Sequence, residues 1–287
     1  MLTTARLLFL AVVGGMLVVT SAHAQLTNLE CGDQLYGASD VGELFTLDLN
    51  DASAVMVGML PGTGAAEIEY DILGDTLYLG VGGGERLFEV NPANGAALGV
   101  SDHLTGHLDG LEYIGSTLYG TFYNGATTQL VVVDSESGTF FSIGNTRIRE
   151  PVSGLAFDPH RGILYGITGE TGLLLTFDFD NGVATVIADT GLAEVGSIEF
   201  GPDGRLYGGL TASAPQHATA LVVIDRTTGD FTSIGATGFS IAGLTACRAY
   251  GGIAEGVVEV PVLSPAGIAA LAVLLLIAGF WVLARRP

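Results

Sequence analysis

The sequence predicts an all-β fold: a five-bladed β-propeller of four-stranded blades, followed by one C-terminal transmembrane helix. Three observations carry that prediction. A unit of four short strands recurs five times with a period near 43 residues. The first unit lacks a leading strand, and the chain supplies one after the fifth. The chain then ends in an uncharged apolar run long enough to cross a bilayer.

Composition narrows the function classes. Of 287 residues, 48% are apolar and 14% are charged, about half the usual charged share. All ten basic residues are arginine, set against 30 acids, for a net charge of −20. So anionic a chain is repelled by phosphate backbones, which argues against nucleic acid as a partner. The apolar share argues equally against an acidic disordered tail.

Residues 1–24 read as a secretory signal peptide. Arg6 gives the positive start, Leu7 to Val19 the apolar run, and Ala22-His23-Ala24 the small-x-small cleavage site before Gln25. An uncleaved anchor is the alternative. The run of 13 residues falls short of the roughly 20 that span a bilayer.

Residues 25–250 form the predicted propeller. Its clearest mark is an apolar-Tyr-Gly-type strand around Tyr36, Tyr78, Tyr119, Tyr165 and Tyr207, spaced 42, 41, 46 and 42 residues apart. About ten residues on, a strand ends in Asp48, Asn91, Asp134, Asp178 or Asp225. In the last four of these a glycine follows four residues later: Gly95, Gly138, Gly182 and Gly229. A fourth strand ends in an Ile-Gly-like pair, as at Ile143-Gly144 and Ile234-Gly235. Every Tyr strand but the first has a leading strand before it, such as Ile68-Glu69-Tyr70 or Ile198-Glu199-Phe200. The leftover strand Ala242 to Cys247 completes the first blade beside Leu35-Tyr36-Gly37, closing the ring and hiding its edges. The repeat resembles those of widespread bacterial propellers, without the Trp-Asp, kelch or sialidase-box signatures.

The two cysteines fit this closure. In the repeat alignment, Cys247 and Cys31 fall two positions apart, across the turn between first and second strands, at the point where the chain is cut. A Cys31–Cys247 disulfide would replace that turn in an exported chain. It would contribute roughly 5 kcal/mol as an upper figure in the chain-entropy model. Two unrelated free thiols are the alternative.

Residues 251–264 link the domain to a segment, 265–284, that reads as the transmembrane helix. Ile268 to Ala284 is uncharged, with Trp281 near its end, and Arg285 and Arg286 in the closing residues 285–287 hold the tail in the cytoplasm. The residues Val260-Pro261-Val262-Leu263-Ser264-Pro265-Ala266-Gly267, the apolar run and the arginine pair resemble the bacterial IPTL-CTERM sorting signal. That signal is similar in layout to PEP-CTERM signals and reads Ile-Pro-Thr-Leu-Ser, two variable residues, Gly. Pro261, Leu263, Ser264 and Gly267 match it, while Val260 and Val262 replace Ile and Thr. The resemblance implies an exosortase-type membrane enzyme as a processing partner, with the propeller delivered to the cell surface or matrix. A plain tail anchor in the inner membrane is the alternative.

Chemistry is sparse. The Asp-x-x-x-Gly pattern lacks the alternating oxygen ligands of a calcium loop and reads as turn chemistry, Asp capping and Gly taking a positive φ. The leading strands place Glu69, Glu112, Ala156, Glu199 and Thr245 at equivalent positions, nearest the propeller axis. Three converging glutamates would repel one another, and their pKa values would rise unless a cation such as Ca²⁺ or arginines neutralised them. Each pairing locally, or meeting channel water, is the plainer reading, and no cofactor is expected beyond that cation. Arg147 and Arg149, the one close basic pair in the domain, either meet an anionic sugar or a partner's acid or neutralise nearby glutamates. The latter is favoured. His103 and His107 read as loop histidines, and Gly82-Gly83-Gly84 precedes no helix that could hold phosphate. The longest irregular inserts, Tyr123 to Ala126, Asn145 to Pro151 and Thr211 to Thr219, would gather at one mouth of the ring. The expected function is a non-catalytic surface module binding a glycan or protein. A propeller enzyme of lactonase, lyase or glycosidase type and a structural spacer are the alternatives.

Overall fold

A computed structural model describes residues 34–62, 66–71, 76–81, 86–100, 108–214 and 218–246, with the pairs 12–13 and 16–17. Outside the described residues lie Cys31 and Cys247, His103, His107 and His217, the Gly82–Gly84 run, the sorting motif from Val260 to Gly267, the 265–284 segment and the 285–287 tail. Most of the predicted leader, residues 1–24, lies there too. Among the described residues no helix is long and apolar enough to cross a membrane.

In the N-terminal unit, Met1–Gly32, β1 (Val12–Val13) and β2 (Met16–Leu17) pair antiparallel. The second unit is built of five antiparallel four-stranded sheets. Blade two is β6 (Ala66–Asp71), β7 (Thr76–Val81), β8 (Arg86–Val90) and β9 (Ala97–Val100). Blade three is β10 (Gly110–Ile114), β11 (Thr117–Tyr123), β12 (Thr128–Val133) and β13 (Phe140–Asn145). Blade four is β14 (Val152–Asp158), β15 (Ile163–Thr168), β16 (Leu173–Phe177) and β17 (Ala184–Asp189). Blade five is β18 (Val195–Phe200), β19 (Leu206–Leu210), β20 (Ala220–Ile224) and β21 (Phe231–Ala236).

Blade one takes strands from both ends of the domain. Its order is β22 (Gly243–Ala246), β3 (Gln34–Ala38), β4 (Glu43–Asp48) and β5 (Ala54–Met59). Gly243 pairs with Ala38 and Ala246 with Leu35, the pairing the leftover strand predicted. The first strands of the blades, β22, β6, β10, β14 and β18, each touch the next, and β18 touches β22. That cycle is a closed five-bladed propeller.

The core sits between blades, because a sheet that is apolar on both faces must be covered on both. Leu155, Leu164 and Leu175 of blade four pack with Leu130 and Tyr119 of blade three, and Leu35, Phe45 and Leu47 of blade one with Tyr207 and Leu221 of blade five. In blades one and four the glycine after the Tyr makes room for the third strand: a Cβ at Gly37 would overlap the Phe45 ring, and one at Gly166 the ring of Phe177.

The strand-ending turns behave as local side-chain chemistry dictates. The Asp134 carboxylate accepts the N–H groups of Glu136 and Ser137, and Asp225 those of Thr227 and Thr228. Gly138 and Gly229 follow at φ 72° and 76°, in the left-handed region that glycine enters without strain. In blade one, Ala52 occupies the same position at φ 61°.

Candidate axial carboxylate site

Inner-strand alternation places Glu67 and Glu69 on one side of β6 and Ile68 and Tyr70 on the other. Glu112 of β10 and Glu199 of β18 occupy the position of Glu69 in their own blades. One carboxylate oxygen each of Glu69, Glu112 and Glu199 lies within 4.8 Å of the other two. The three side chains are 5%, 7% and 7% exposed, and Glu67 is 4% exposed. Three blades thus deliver three carboxylates to one buried point on the axis.

Their hydrogen bonds follow a rule. Each acceptor takes the backbone N–H of the residue one past the equivalent position in the next blade. Glu69 Oε1 accepts from Tyr113 N–H at 2.9 Å, Glu112 accepts from Phe157, and Glu199 from Ala246. In blade one Thr245 Oγ1 does the same for Tyr70 N–H at 3.0 Å, and donates its own proton to Glu69 Oε2 at 3.1 Å. Blade four holds Ala156, which has no acceptor. The Phe200 N–H it leaves over is taken by Glu199 Oε1 of Phe200's own blade, at 2.6 Å. Each of these glutamates therefore binds a neighbouring blade and also faces the other carboxylates.

Glu67 accepts from Ser197 Oγ at 2.9 Å, across the ring. Its Oε2, and Oε2 of Glu112, are buried and have no hydrogen-bond partner. Burial pushes Glu67, Glu112 and Glu199 well above the ordinary carboxyl range, with Glu69 and Glu199 raising Glu112 further by charge. Burial likewise raises Glu69, to about 8, against the lowering effect of its Tyr113, Thr245 and Tyr70 partners. Without a compensating positive charge, burial favours the protonated form of each of these groups.

No family model matches the chain, and no curated protein matches it. Among solved structures, a chain of a nidogen/laminin complex is 14% identical, with a TM-score of 0.53 over 77% of this chain and 83% of that one. The WD40 β-propeller domain of Doa1 is 13% identical, with a TM-score of 0.45 over 73% and 81%. The likeness to the nidogen/laminin chain is one of fold alone.

The predicted basic pair lies elsewhere. Arg147 and Arg149 are exposed in the β13–β14 connection, and neither forms an ion pair with a described carboxylate. Glu150, the nearest acid in sequence, instead accepts from the N–H and Oγ1 of Thr171. Antiparallel meandering puts this connection, the β11–β12 turn and the β19–β20 turn on one face. Tyr123 Oη ties two of them together by donating to the Arg149 carbonyl.

Two features escaped the sequence reading. Glu67 stands where the other blades carry Gly110, Gly154, Ser197 and Gly243, so a repeat consensus hides it; the alternating Glu67-Ile68-Glu69 pattern was its signal. The second is a groove of about 550 Å³ on the opposite face, lined by Arg161, Arg205 and Arg226 with Asp225 and Asp230. Its cations are internally matched. Arg226 and Arg161 pair with the fully buried Asp158, and Arg205 pairs with Asp203. Arg226 also lies over Phe200, and Arg205 over Tyr207.

Proposed function

We propose that the chain is an exported, non-catalytic binding module, anchored or sorted at the cell envelope through its C-terminal signal, whose ligand docks on the loop-bearing face around Arg147 and Arg149. Propellers commonly serve binding, and the leader and IPTL-like tail support the address. One observation carries the choice of face. Arg147 has φ 69°, and the equivalent residues of blades four and five are Gly191 at φ 68° and Gly238 at φ 81°.

The equivalence is close. Thr146, Thr190 and Thr237 precede the three residues, and each donates its hydroxyl to the carbonyl one turn back, of Thr128, Gly172 and Thr219. A Cβ at Gly191 or Gly238 would meet nothing within 4 Å. The Arg147 side chain therefore leaves the fold for solvent while its backbone holds a conformation that disfavours side chains. Packing gives no reason for an arginine there. An acidic glycan or a partner's carboxylate does, since a guanidinium is a fork of donors matched to such groups.

The axial carboxylates favour binding over turnover as well, because they are buried and hold inter-blade N–H groups. The test is a binding screen of the purified full chain against acidic and neutral glycans and surface proteins, with lactone and glycoside substrates alongside. An anionic ligand is expected, its affinity falling at least tenfold in an Arg147→Gly, Arg149→Ala variant. Ligand binding untouched by that variant, or turnover of any substrate, would replace this reading.

A further inference from the structure

We propose that Glu69, Glu112 and Glu199 bind one calcium-sized cation on the propeller axis, where it joins blades two, three and five. The inference does not depend on what docks on the loop face. It starts from geometry. Two ligand atoms of one ion can be separated by at most twice the metal–oxygen distance, about 4.6–5.2 Å for Ca²⁺ and about 4.0–4.2 Å for Mg²⁺. One oxygen of each of these three carboxylates lies within 4.8 Å of the other two, inside the span of a calcium shell.

The donor chemistry agrees. The cluster offers carboxylate oxygens with a threonine hydroxyl alongside, and no sulfur or imidazole, a set suited to a hard cation.

A second observation points to a ligand independently of the acidic count. Glu112 Oε2 is buried with no hydrogen-bond partner, while Phe157 N–H binds the same carboxylate. That oxygen belongs to one of the three converging side chains. A buried acceptor so abandoned is rare, because desolvation without a partner is costly. The same is true of Glu67 Oε2, which belongs to the inner strand of the same ring. A cation at the meeting point answers the orphaned Glu112 oxygen and the mutual repulsion together. It also leaves intact the inter-blade N–H bonds, which engage the remaining lone pairs.

The experiment uses the full chain stripped with EGTA. Calorimetric titration with CaCl₂ is expected to show one site. Thermal unfolding in 10 mM CaCl₂ is expected to rise by about 3–8 °C over EGTA, for occupancy at about 10–100 times Kd. Glu112→Gln keeps the shape and the Phe157 bond but removes the charge. It is expected to match or exceed the wild type in EGTA and to gain little from calcium, so that the two stability orders cross. Glu199→Gln is measured in parallel, so that a folding failure of either variant leaves the other to decide. The site is overturned by a wild-type melting temperature that does not move up to 10 mM calcium, or by variants that respond to calcium as the wild type does. Magnesium acting as well as calcium overturns the size assignment.

Discussion

At Arg147 the backbone sits at φ 69°, and the Asn145 carboxamide receives its N–H at 2.8 Å. A left-handed conformation costs a side-chain-bearing residue roughly 1–2 kcal/mol, and glycine's extra freedom in the unfolded chain offsets about 0.5–1 kcal/mol of the relief. Arg147→Gly is therefore expected to stabilise the protein by about 0.5–1 kcal/mol in urea unfolding while weakening ligand capture. A variant less stable than the wild type would mean that the side chain serves the fold after all. Thr245, 1% exposed, behaves oppositely. Its hydroxyl accepts from Tyr70 and donates to Glu69, so Thr245→Val keeps the shape and removes two buried hydrogen bonds. A loss of about 1–3 kcal/mol is expected; a loss under about 0.5 kcal/mol would show that the hydroxyl does not link the two blades.

At the scale of the strand, the outer strands of blades one, three, four and five share a one-residue bulge. Leu130 and Val131 face Gly144 and Ser142, leaving Ile143 extra, and the same shift leaves Ile187 and Ile234 over in blades four and five. The bulge turns these isoleucines toward the inter-blade cores and brings the following residue against the next blade. A Cβ at Gly144 would fall on the carbonyl of Asn181, whereas one at Gly125, with φ 85°, would meet nothing. Gly144→Ala is expected to cost at least about 3 kcal/mol, and Gly125→Ala about 1 kcal/mol from φ alone. Equal losses in chemical denaturation would refute the steric account. The sequence repeat showed this Ile-Gly pair and its period, because strand order and turn chemistry are local and recur. It did not show why glycine follows isoleucine, since the reason lies across the gap between blades. The same limit hid the Glu69–Tyr113 bond, which spans 44 residues, and hid the left-handed backbone of Arg147, whose meaning appears only beside Gly191 and Gly238. The equivalent placement of Glu69, Glu112 and Glu199 was legible, because strand alternation and ring symmetry suffice to converge them.

For the molecule as a whole, ring closure makes the axis a shared electrostatic centre, and pH is the variable that reads it. In the cation-free protein Glu69 is raised from 4.5 to about 8, and Glu67, Glu112 and Glu199 are raised with it. A carboxyl whose folded pKa exceeds its unfolded value stabilises fully below the unfolded value and loses that contribution as pH rises through the folded one. The turn acids run the other way. Asp134 and Asp225 are lowered by backbone N–H donors, so what they add is lost as pH falls through their depressed values. Stability in EGTA is therefore expected to be greatest in mildly acidic solution and to decline from about pH 5 to above pH 8. General repulsion among the acids of a chain of net charge −20 would slope the same way, so the slope alone does not assign the cause. Glu112→Gln separates the two, because it removes one charge of thirty acids but one of the three that converge. Its unfolding free energy in EGTA should decline measurably less over that interval, whereas neutralising a turn acid such as Asp134, whose carboxyl is lowered, should leave the slope over that interval as it was. In 10 mM calcium the wild-type decline should shrink toward that of the variant, the ion supplying the positive charge that protons otherwise provide. Identical slopes for wild type and Glu112→Gln in EGTA would place the pH response on the acidic surface and remove the axis as its origin.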